Sequence, residues 1–400
     1  MKRILFVDDD AMVLEAIGAV FRNAGNKDWD LSFASSGTEA LRLMETQPAD
    51  VVVTDMRMPR MSGAVLLHQI MERYPKTVRF ILSGYADMET AMYCVSGTHQ
   101  FLSKPGDILN LQSAVRRAVE MDDWLNNDRV KTLVSQLANV PSVPGLYFEI
   151  LKELRSPEAA LDRVGATIAK DPAMTAKILQ LVNSAFFGLA CKINDPTEAV
   201  MQLGMQTIKS LVLAVHVFSE LDSKKDARFH IESIQHHCLA TALAAKRIAQ
   251  IEHQKSEIGD ACFTAGLLHD IGRLVLIANL PDQYAEAVAR AQKESIALVE
   301  AERAVFGVTH AETGGYLLGL WGLPGAIVEA TVFHHCPSAR PGRDFEPLTA
   351  VHVANVFEQG KGMGLPPELT AHLDEQYLAE TGFAAKVPEW REAVANGHAE

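Results

Sequence analysis

The sequence predicts two architectures in tandem, an α/β doubly wound parallel sheet over the first 122 residues and an all-α region after it. Three observations predict this. Residues 1–122 alternate short apolar or β-branched runs with amphipathic stretches, the βα repetition of a sheet covered by helices on both faces. From residue 134 onward apolar residues recur at helical spacing between capping signals, with no convincing strand and no repeat of fixed period. Aromatics are 7% of a chain that is 48% hydrophobic, a balance that leans to helix and disfavours an all-β sandwich or barrel.

In the first region Leu5 to Val7 leads into Asp8 and Asp9, Val51 to Thr54 into Asp55, Phe80 to Leu82 into Ser83, and Phe101 with Leu102 into Lys104. Helical stretches begin near Ala11, Gly37, Gly63 and Ala86. The polar residues thus stand at the carboxyl ends of the predicted strands, where ligands collect in such sheets. Three carboxylates brought together repel one another unless a hard dication sits among them, and Mg²⁺ is held through one or two carboxylates, waters and phosphate oxygens. A metal-held carboxylate beside a lysine suits an in-line phosphoryl acceptor, with a serine hydroxyl to bond a phosphoryl oxygen. Singly, each element has a plainer reading: VDDD as a strand end and helix cap, Ser83-Gly84 as a turn, Lys104-Pro105 as a solvated loop. Five such residues in order favour a site.

The segments ILFVDDD, VVVTDMRMPRMSG, FILSGYAD and FLSKP resemble, in that order over residues 1–122, the receiver domain of two-component response regulators. The resemblance implies a flavodoxin-like sheet of five parallel strands and a sensor histidine kinase as partner. It implies Asp55 as phosphoacceptor, Asp8, Asp9, Asp55 and the backbone carbonyl of Arg57 as Mg²⁺ ligands, Ser83 and Lys104 as phosphoryl contacts, and Phe101 as the aromatic switch residue. Pro59 and Gly63 fall on family positions, whereas Thr98-His99 stands where many receivers carry Gly-Ala.

A connector follows. DILNLQSAVRRAVEMDDWLNN places Leu111, Val115, Ala118 and Leu125 in a partly heptad stripe broken at Asp122. It reads equally as a helix paired with a second subunit in a homodimer and as one docked on its own domain.

The helical region is well punctuated. Asp171-Pro172 supplies an N-cap and first-turn proline for a helix with Met174, Ile178, Leu181, Val182 and Phe186 on one face and Gly188 at its end. Asp195 with Glu198, and Thr309 with Glu312, form capping boxes, the second opening a helix through Leu320. Ala240 to Ile251 is a small-residue helix suited to close packing. QLGMQTIKSLVL, with Gly204 at a turn, could be drawn as helix-turn-helix, but Lys209 is its only basic residue and packing is the better reading. After Phe345, Leu348 to Phe357 reads as helix, Gly360 to Pro367 as loop and VPEWREAVANGHAE as a final helix that either covers the core or faces a partner.

Of 14 histidines, His236-His237, His269-Asp270, His310, His334-His335 and His352 form a series. Imidazole and carboxylate suit Fe, Mn and Zn, and a helical core would gather such ligands; a dinuclear form would activate water for phosphoester hydrolysis. Buried histidines equally cap helices or bond carbonyls, and separations of roughly 30 to 40 residues lack the specificity of a short metal motif. Both readings stand on the residues alone.

QLANVPSVPGLYFEILKEL, VGATIAKDPAMTAKILQLVNSAFFGL and INDPTEAVMQLGMQTIKSLVL resemble the HDOD domain, a relative of the HD superfamily, over about residues 134–340. Most such domains are regarded as signalling or protein-interaction modules without hydrolase activity. On this pattern His237 resembles the first superfamily histidine, His269 and Asp270 the HD pair in LLHDIGR, and His310, His334 and His335 the later histidines of HD-GYP phosphodiesterases. The resemblance implies those six as a second metal site, for Fe, Mn or Zn. Asn355 stands in place of the closing aspartate, and HHCPSARPG carries no GYP.

The expected organisation is a receiver domain over 1–122, a connector helix over 123–133, an HDOD domain over 134–340 and a helical extension of it over 341–400. The expected function is a response regulator phosphorylated on Asp55 that signals through its HDOD domain to a downstream protein, the alternative being a metal-dependent phosphohydrolase, such as a cyclic-nucleotide phosphodiesterase, gated by the receiver. Residues 1–122 hold 13 basic and 16 acidic side chains and the remainder 24 and 34, within a total of −13; the acidic second region disfavours direct nucleic-acid binding. Cys94, Cys191, Cys238, Cys262 and Cys336 form no C-x-x-C pair and read as reduced thiols. MKRILFVDDD reaches its aspartates after four apolar residues, too few for a signal-peptide core. FTAGLLHDIGRLVLIANL is interrupted by His269, Asp270 and Arg273, so a cytoplasmic protein without membrane insertion is expected.

Overall fold

A computed structural model of the chain describes residues 2–23, 29–83, 100–103, 161–182, 193–222, 228–229, 231–340, 344–359 and 372–396, with short helical pieces between 111 and 150. Two compact units emerge, Met1–Leu137 with Tyr316–Leu323, and Ala138–Gly315 with Pro324–Glu400.

The first unit holds β1 (Lys2–Val7), α1 (Ala11–Asn23), β2 (Trp29–Ala34), α2 (Gly37–Thr46), β3 (Val51–Asp55), α3 (Gly63–Arg73), β4 (Val78–Ser83) and β5 (Gln100–Ser103). All strand pairs are parallel and the order is β2-β1-β3-β4-β5, the doubly wound arrangement expected from the sequence. The three helix starts at Ala11, Gly37 and Gly63 fall where the pattern put them; the start near Ala86 lies outside the described residues. Every residue of β3 is buried, as are the last four of β1, because helices cover both faces of central parallel strands. β2 was not singled out in the sequence. It is an edge strand, WDLSFA, with only Ala34 buried, so it lacks the continuous apolar run that marks its neighbours.

Local chemistry fixes the helix starts. Ser36 caps α2 by accepting from the Glu39 amide, while Glu39 accepts from the Ser35 amide and hydroxyl, an exchange worth about 1 kcal/mol. Ser62 caps α3 through the Val65 amide. Gly63 meets a harder constraint, since a Cβ there would lie 2.0 Å from the Asp55 carbonyl oxygen; only glycine lets α3 begin against the end of β3. In the connector, Leu111 and Val115 are buried together with Val119. Ala118 and Leu125 lie outside the described side chains.

The remaining helices are α4 (Leu161–Ala169), α5 (Pro172–Val182), α6 (Pro196–Leu203), α7 (Met205–Asp222), α8 (Ile231–Ile251), α9 (Ser256–Leu268), α10 (Ile271–Asn279), α11 (Pro281–Glu294), α12 (Leu298–Phe306), α13 (His310–Leu320), α14 (Gly325–Phe333), α15 (Pro347–Glu358), α16 (Glu375–Glu380) and α17 (Val387–Asn396). Among the described residues no strand follows β5. Asp171 accepts from the Met174 amide, and Met174, Ile178 and Val182 are buried on one face of α5; Phe186 and Gly188 lie outside the described residues. Asp195 caps α6 through the Thr197 and Glu198 amides. Thr309 and Glu312 exchange both bonds of a capping box at the start of α13. Between α6 and α7 the chain turns at Gly204, φ +80°, and Ile208, Leu211, Val212 and Leu213 of α7 are buried, as packing rather than groove insertion requires.

In the second unit α8 packs on α9 and α15, with α14 against α9 and α15. The stretch Ser256–Asn279 has the length and apolar character of a membrane span, yet its most apolar 18 residues are 83% buried in the protein. The C-terminal segment covers the helical core: Trp390 of α17 is fully buried, meets Phe345 edge-on and Phe383 at a tilt, and donates through Nε1 to Glu252 at 2.9 Å. Cys238, Cys262 and Cys336 are free thiols.

Candidate functional sites

At the sheet, Asp8 directly follows β1 and Asp55 ends β3, the two strands flanking the point where strand order reverses. This crevice is where doubly wound sheets bind their ligands. Oxygen atoms of Asp8, Asp9 and Asp55 all lie within 4.8 Å of one another. Asp8 is 2% and Asp55 8% exposed, while Asp9 faces solvent. Backbone amides hold the carboxylates: Asp10 N–H donates to Asp8 Oδ1 at 3.0 Å, and Arg57 N–H to Asp55 Oδ2 at 3.2 Å. A cluster of oxygen donors with three negative charges fits a hard dication such as Mg²⁺. Of Ser83 and Phe101 only the backbone is described, on β4 and β5, and Lys104 lies outside the described residues.

The second cluster lies in the helical unit and is assembled at helix ends. His269 follows α9 and His334 follows α14, and each sends Nδ1 to the carbonyl three residues back, Gly266 and Thr331, at 2.7 Å. A helix C-terminus leaves such carbonyls without intrahelical donors. The imidazole satisfies one, which fixes the hydrogen on Nδ1 and leaves Nε2 as a bare lone pair. Both Nε2 atoms are buried and have no hydrogen-bond partner, the state expected of imidazoles awaiting a metal.

Asp270 is the hub. Its Oδ1 lies 3.1 Å from His310 Nε2 and 3.9 Å from His334 Nε2, and its Oδ2 lies 3.7 Å from His269 Nε2 and 2.9 Å from the Arg273 guanidinium. His335 Nε2 reaches His310 Nε2 at 3.1 Å. His237 Nε2 pairs with Asn355 Oδ1 at 2.9 Å. All six sequence-derived residues therefore converge, in two donor groups that share Asp270: His237, His269 and Asp270, and Asp270, His310, His334 and His335. His236 is exposed and stands outside the cluster. His352 also stands outside it, donating through Nδ1 to the His334 carbonyl at 2.8 Å and accepting from the Asp374 amide at 2.9 Å, so it braces the loop that carries a candidate ligand.

Three participants had been given no role at the cluster from the sequence. Glu302 of α12 is fully buried and accepts from His310 through both its backbone amide, 2.8 Å, and Nδ1, 2.7 Å. Arg273 holds Asp270 and is itself fixed by Tyr284 Oη at 3.0 Å. Burial opposes charge on Asp270, yet His269, Arg273 and His310 hold its pKa well below the ordinary carboxylate range. Burial also opposes a charged His310, but the Glu302 charge and the bonds to Asp270 and Glu302 outweigh it and raise the pKa to about 9. For His237 burial wins and lowers the value to about 4; burial likewise lowers His269, His334 and His335.

Comparisons with known proteins follow this division. Residues 4–116 match the response regulator receiver domain and residues 140–337 the HDOD domain. Over 119 residues the chain is 34% identical to the hydrogenase transcriptional regulatory protein HoxA of Cupriavidus necator, covering 29% of this chain and 24% of that one. Over 226 residues it is 26% identical to an uncharacterized protein of Treponema pallidum, covering 56% of this chain and 43% of that one. It thus spans less than half the length of these relatives. The crystal structure of an HDOD domain protein of unknown function from Geobacter sulfurreducens superposes with a TM-score of 0.54 at 23% identity, over 68% of this chain and 97% of that one, a likeness of fold. The chain carries a response regulator receiver domain followed by an HDOD domain.

Proposed function

We propose that the protein is a phosphorylation-driven switch: a sensor histidine kinase transfers a phosphoryl group to Asp55, and the receiver passes the change to the HDOD domain, which regulates a downstream protein by binding it. The observation that carries this reading is the triad of Asp8, Asp9 and Asp55 at the strand-order reversal. In it Asp8, Asp9, Asp55 and the Arg57 carbonyl hold Mg²⁺, Ser83 and Lys104 contact the transferred group, and Phe101 re-seats between states. Mg²⁺ supplies charge neutralisation at the phosphoryl oxygens. Coupling of this kind is worth typically ~1–3 kcal/mol between sites. The reading sets the protein in the cytoplasm, beside the kinase. Incubation with acetyl phosphate and Mg²⁺, followed by phosphate-affinity electrophoresis, tests it: the wild type acquires a retarded band and Asp55→Ala does not. Equal labelling of both would remove Asp55 from the role.

A second reading is favoured by the bare Nε2 atoms of His269 and His334 beside Asp270. The HD-like cluster fits a metal of the Fe, Mn or Zn class, which would supply a Lewis acid and an activated water for phosphoester hydrolysis. Turnover of nucleotide phosphodiesters by metal-loaded protein, absent in Asp270→Ala, would support hydrolysis; no turnover with metal bound would leave the binding-module reading.

A further inference from the structure

Of the histidines grouped with Asp270 Oδ1, two have rings fixed from behind. His334 sends Nδ1 to the Thr331 carbonyl and His310 sends Nδ1 to Glu302, each at 2.7 Å. His335 has no such anchor among the described residues; its ring bond is the one from Nε2 to His310 Nε2, at 3.1 Å. An imidazole whose second nitrogen is not held takes its direction from its own backbone, and so from the segment that follows α14.

That segment is short and held on both sides of His335. Beyond it the Cys336 amide donates to the Phe333 carbonyl at 2.9 Å, and the chain enters a single 3₁₀ turn, Pro337–Ala339. On the near side the His334 carbonyl accepts from His352 Nδ1 at 2.8 Å, and His352 Nε2 accepts from the Asp374 amide at 2.9 Å. On the far side Asp374 Oδ2 accepts from the Ser338 amide, at 3.3 Å, and from the Ser338 hydroxyl. Asp374 therefore reaches both ends of the segment, one through its backbone and the other through its side chain. Its remaining oxygen, Oδ1, accepts from the Tyr377 amide at 2.9 Å as the cap of α16. A carboxylate with three donors is a firm anchor. Asp374 stands outside both donor groups of the cluster and past residue 337, where the HDOD match ends.

We infer that Asp374 is the positioning residue of His335: by clasping Ser338 and bracing His352 it sets the backbone from His334 to Ser338, and with it the direction in which His335 Nε2 faces the cluster. The inference rests on the second reading above, that the cluster is a metal centre.

Asp374→Asn separates the clasp from the cap. Asparagine caps a helix as well as aspartate does, so the Tyr377 amide keeps its acceptor and the backbone amide still serves His352. The group facing Ser338 becomes an NH₂, which has no lone pair for the Ser338 amide. Tyr377→Phe is the packing control, since it removes the bond of Tyr377 Oη to Thr349 Oγ1 at 2.7 Å, which ties α16 to α15 without touching the histidine segment. Ser338→Ala removes the hydroxyl from the other end of the clasp.

The full chain, stripped with chelator and checked for folding by circular dichroism, is titrated anaerobically with Zn²⁺ or Mn²⁺ against a competing chelator dye. Deuterium uptake is followed in parallel in the peptide covering residues 334–340. Asp374→Asn is expected to bind metal about 10-fold more weakly, at the lower end of what loss of an outer partner does, and to exchange faster in that peptide. Ser338→Ala should shift both in the same direction, and the double variant should go little beyond Asp374→Asn, as two halves of one contact do. Tyr377→Phe should keep the wild-type affinity even where its urea midpoint falls. Wild-type affinity in Asp374→Asn, or an equal weakening in Tyr377→Phe, would overturn the positioning role while leaving a metal centre. Uptake of neither metal by the wild type would overturn the metal-centre reading and the role with it.

Discussion

Gly272 stands so close to His310 that a Cβ on it would lie 1.9 Å from the His310 carbonyl oxygen. That contact lets the start of α13 rest on α10, and it brings His310 Nε2 to 3.1 Å from Asp270, two residues before Gly272. The glycine in LLHDIGR is thus a geometric requirement of the cluster. Gly272→Ala forces the backbones apart and is expected to destabilise the helical unit by at least about 1–3 kcal/mol. Gly259→Ala is the matched control, since the nearest atom to its added Cβ is Lys246 Cγ at 4.0 Å, and alanine in a helix interior gains up to about 1 kcal/mol over glycine. Urea unfolding followed by circular dichroism should separate the two; coincident midpoints would show that α10 and α13 do not depend on this approach.

The cluster also sets a pH dependence for metal-free protein. The His310 pKa is raised to about 9 from 6.5, so its contribution is complete below pH 6.5 and is lost as pH rises through 9. A shift of that size corresponds to a few kcal/mol, on the order of 3. His237 works in the opposite sense: lowered to about 4, it contributes above pH 6.5 and loses that contribution as pH falls toward 4. Thermal unfolding of chelator-stripped protein should therefore show stability falling between pH 6.5 and 9, with a much flatter profile for His310→Gln. Parallel profiles would mean that His310 is not held between Glu302 and Asp270.

Much of this arrangement was legible in the sequence because caps and strand ends are local. Asp195, Thr309 and the Asp8, Asp9, Asp55 set each announce a role within a few residues. Glu302 does not. In LVEAERAVF it is one of two glutamates on an ordinary amphipathic helix, and acidic residues on such helices are nearly always solvated; its role comes from the fold of α12 onto α13. Arg273 lay inside a recognised motif, but its bond to Asp270 depends on Tyr284 from α11. His352 erred in the other direction, belonging to the histidine series by spacing yet serving as a brace for His334. The β2 edge strand escaped because its apolar residues alternate with polar ones and form no continuous apolar run like those of its neighbours.

The C-terminal helix should be integral to the second unit. Trp390 is fully buried against Phe345 and Phe383, and its Nε1 has a defined acceptor in Glu252. Trp390→Ala is expected to cost about 3–5 kcal/mol, and ending the chain before α17 should cost at least as much. Unchanged unfolding midpoints in the shortened chain would show that the last helix is an appendage offered to a partner.

The two aspartates after β1 should separate in their effects. Asp8 is buried and receives the Asp10 amide, whereas Asp9 is exposed. Asp9→Asn removes one negative charge from the triad without touching the core, so stability should move by no more than about 0.5 kcal/mol. Its Mg²⁺ requirement should still rise, because one of three oxygen donors to the dication has lost its charge. A tenfold increase in the half-saturating Mg²⁺ concentration for acetyl-phosphate labelling corresponds to about 1.4 kcal/mol of lost binding, and a change of roughly that size is expected. Asp8→Asn keeps an oxygen for the Asp10 amide and should show the same rise in Mg²⁺ requirement. Labelling of both variants at wild-type Mg²⁺ levels would mean that Asp55 acts without its neighbours, and the triad would lose its reading as the metal-assisted phosphoacceptor site.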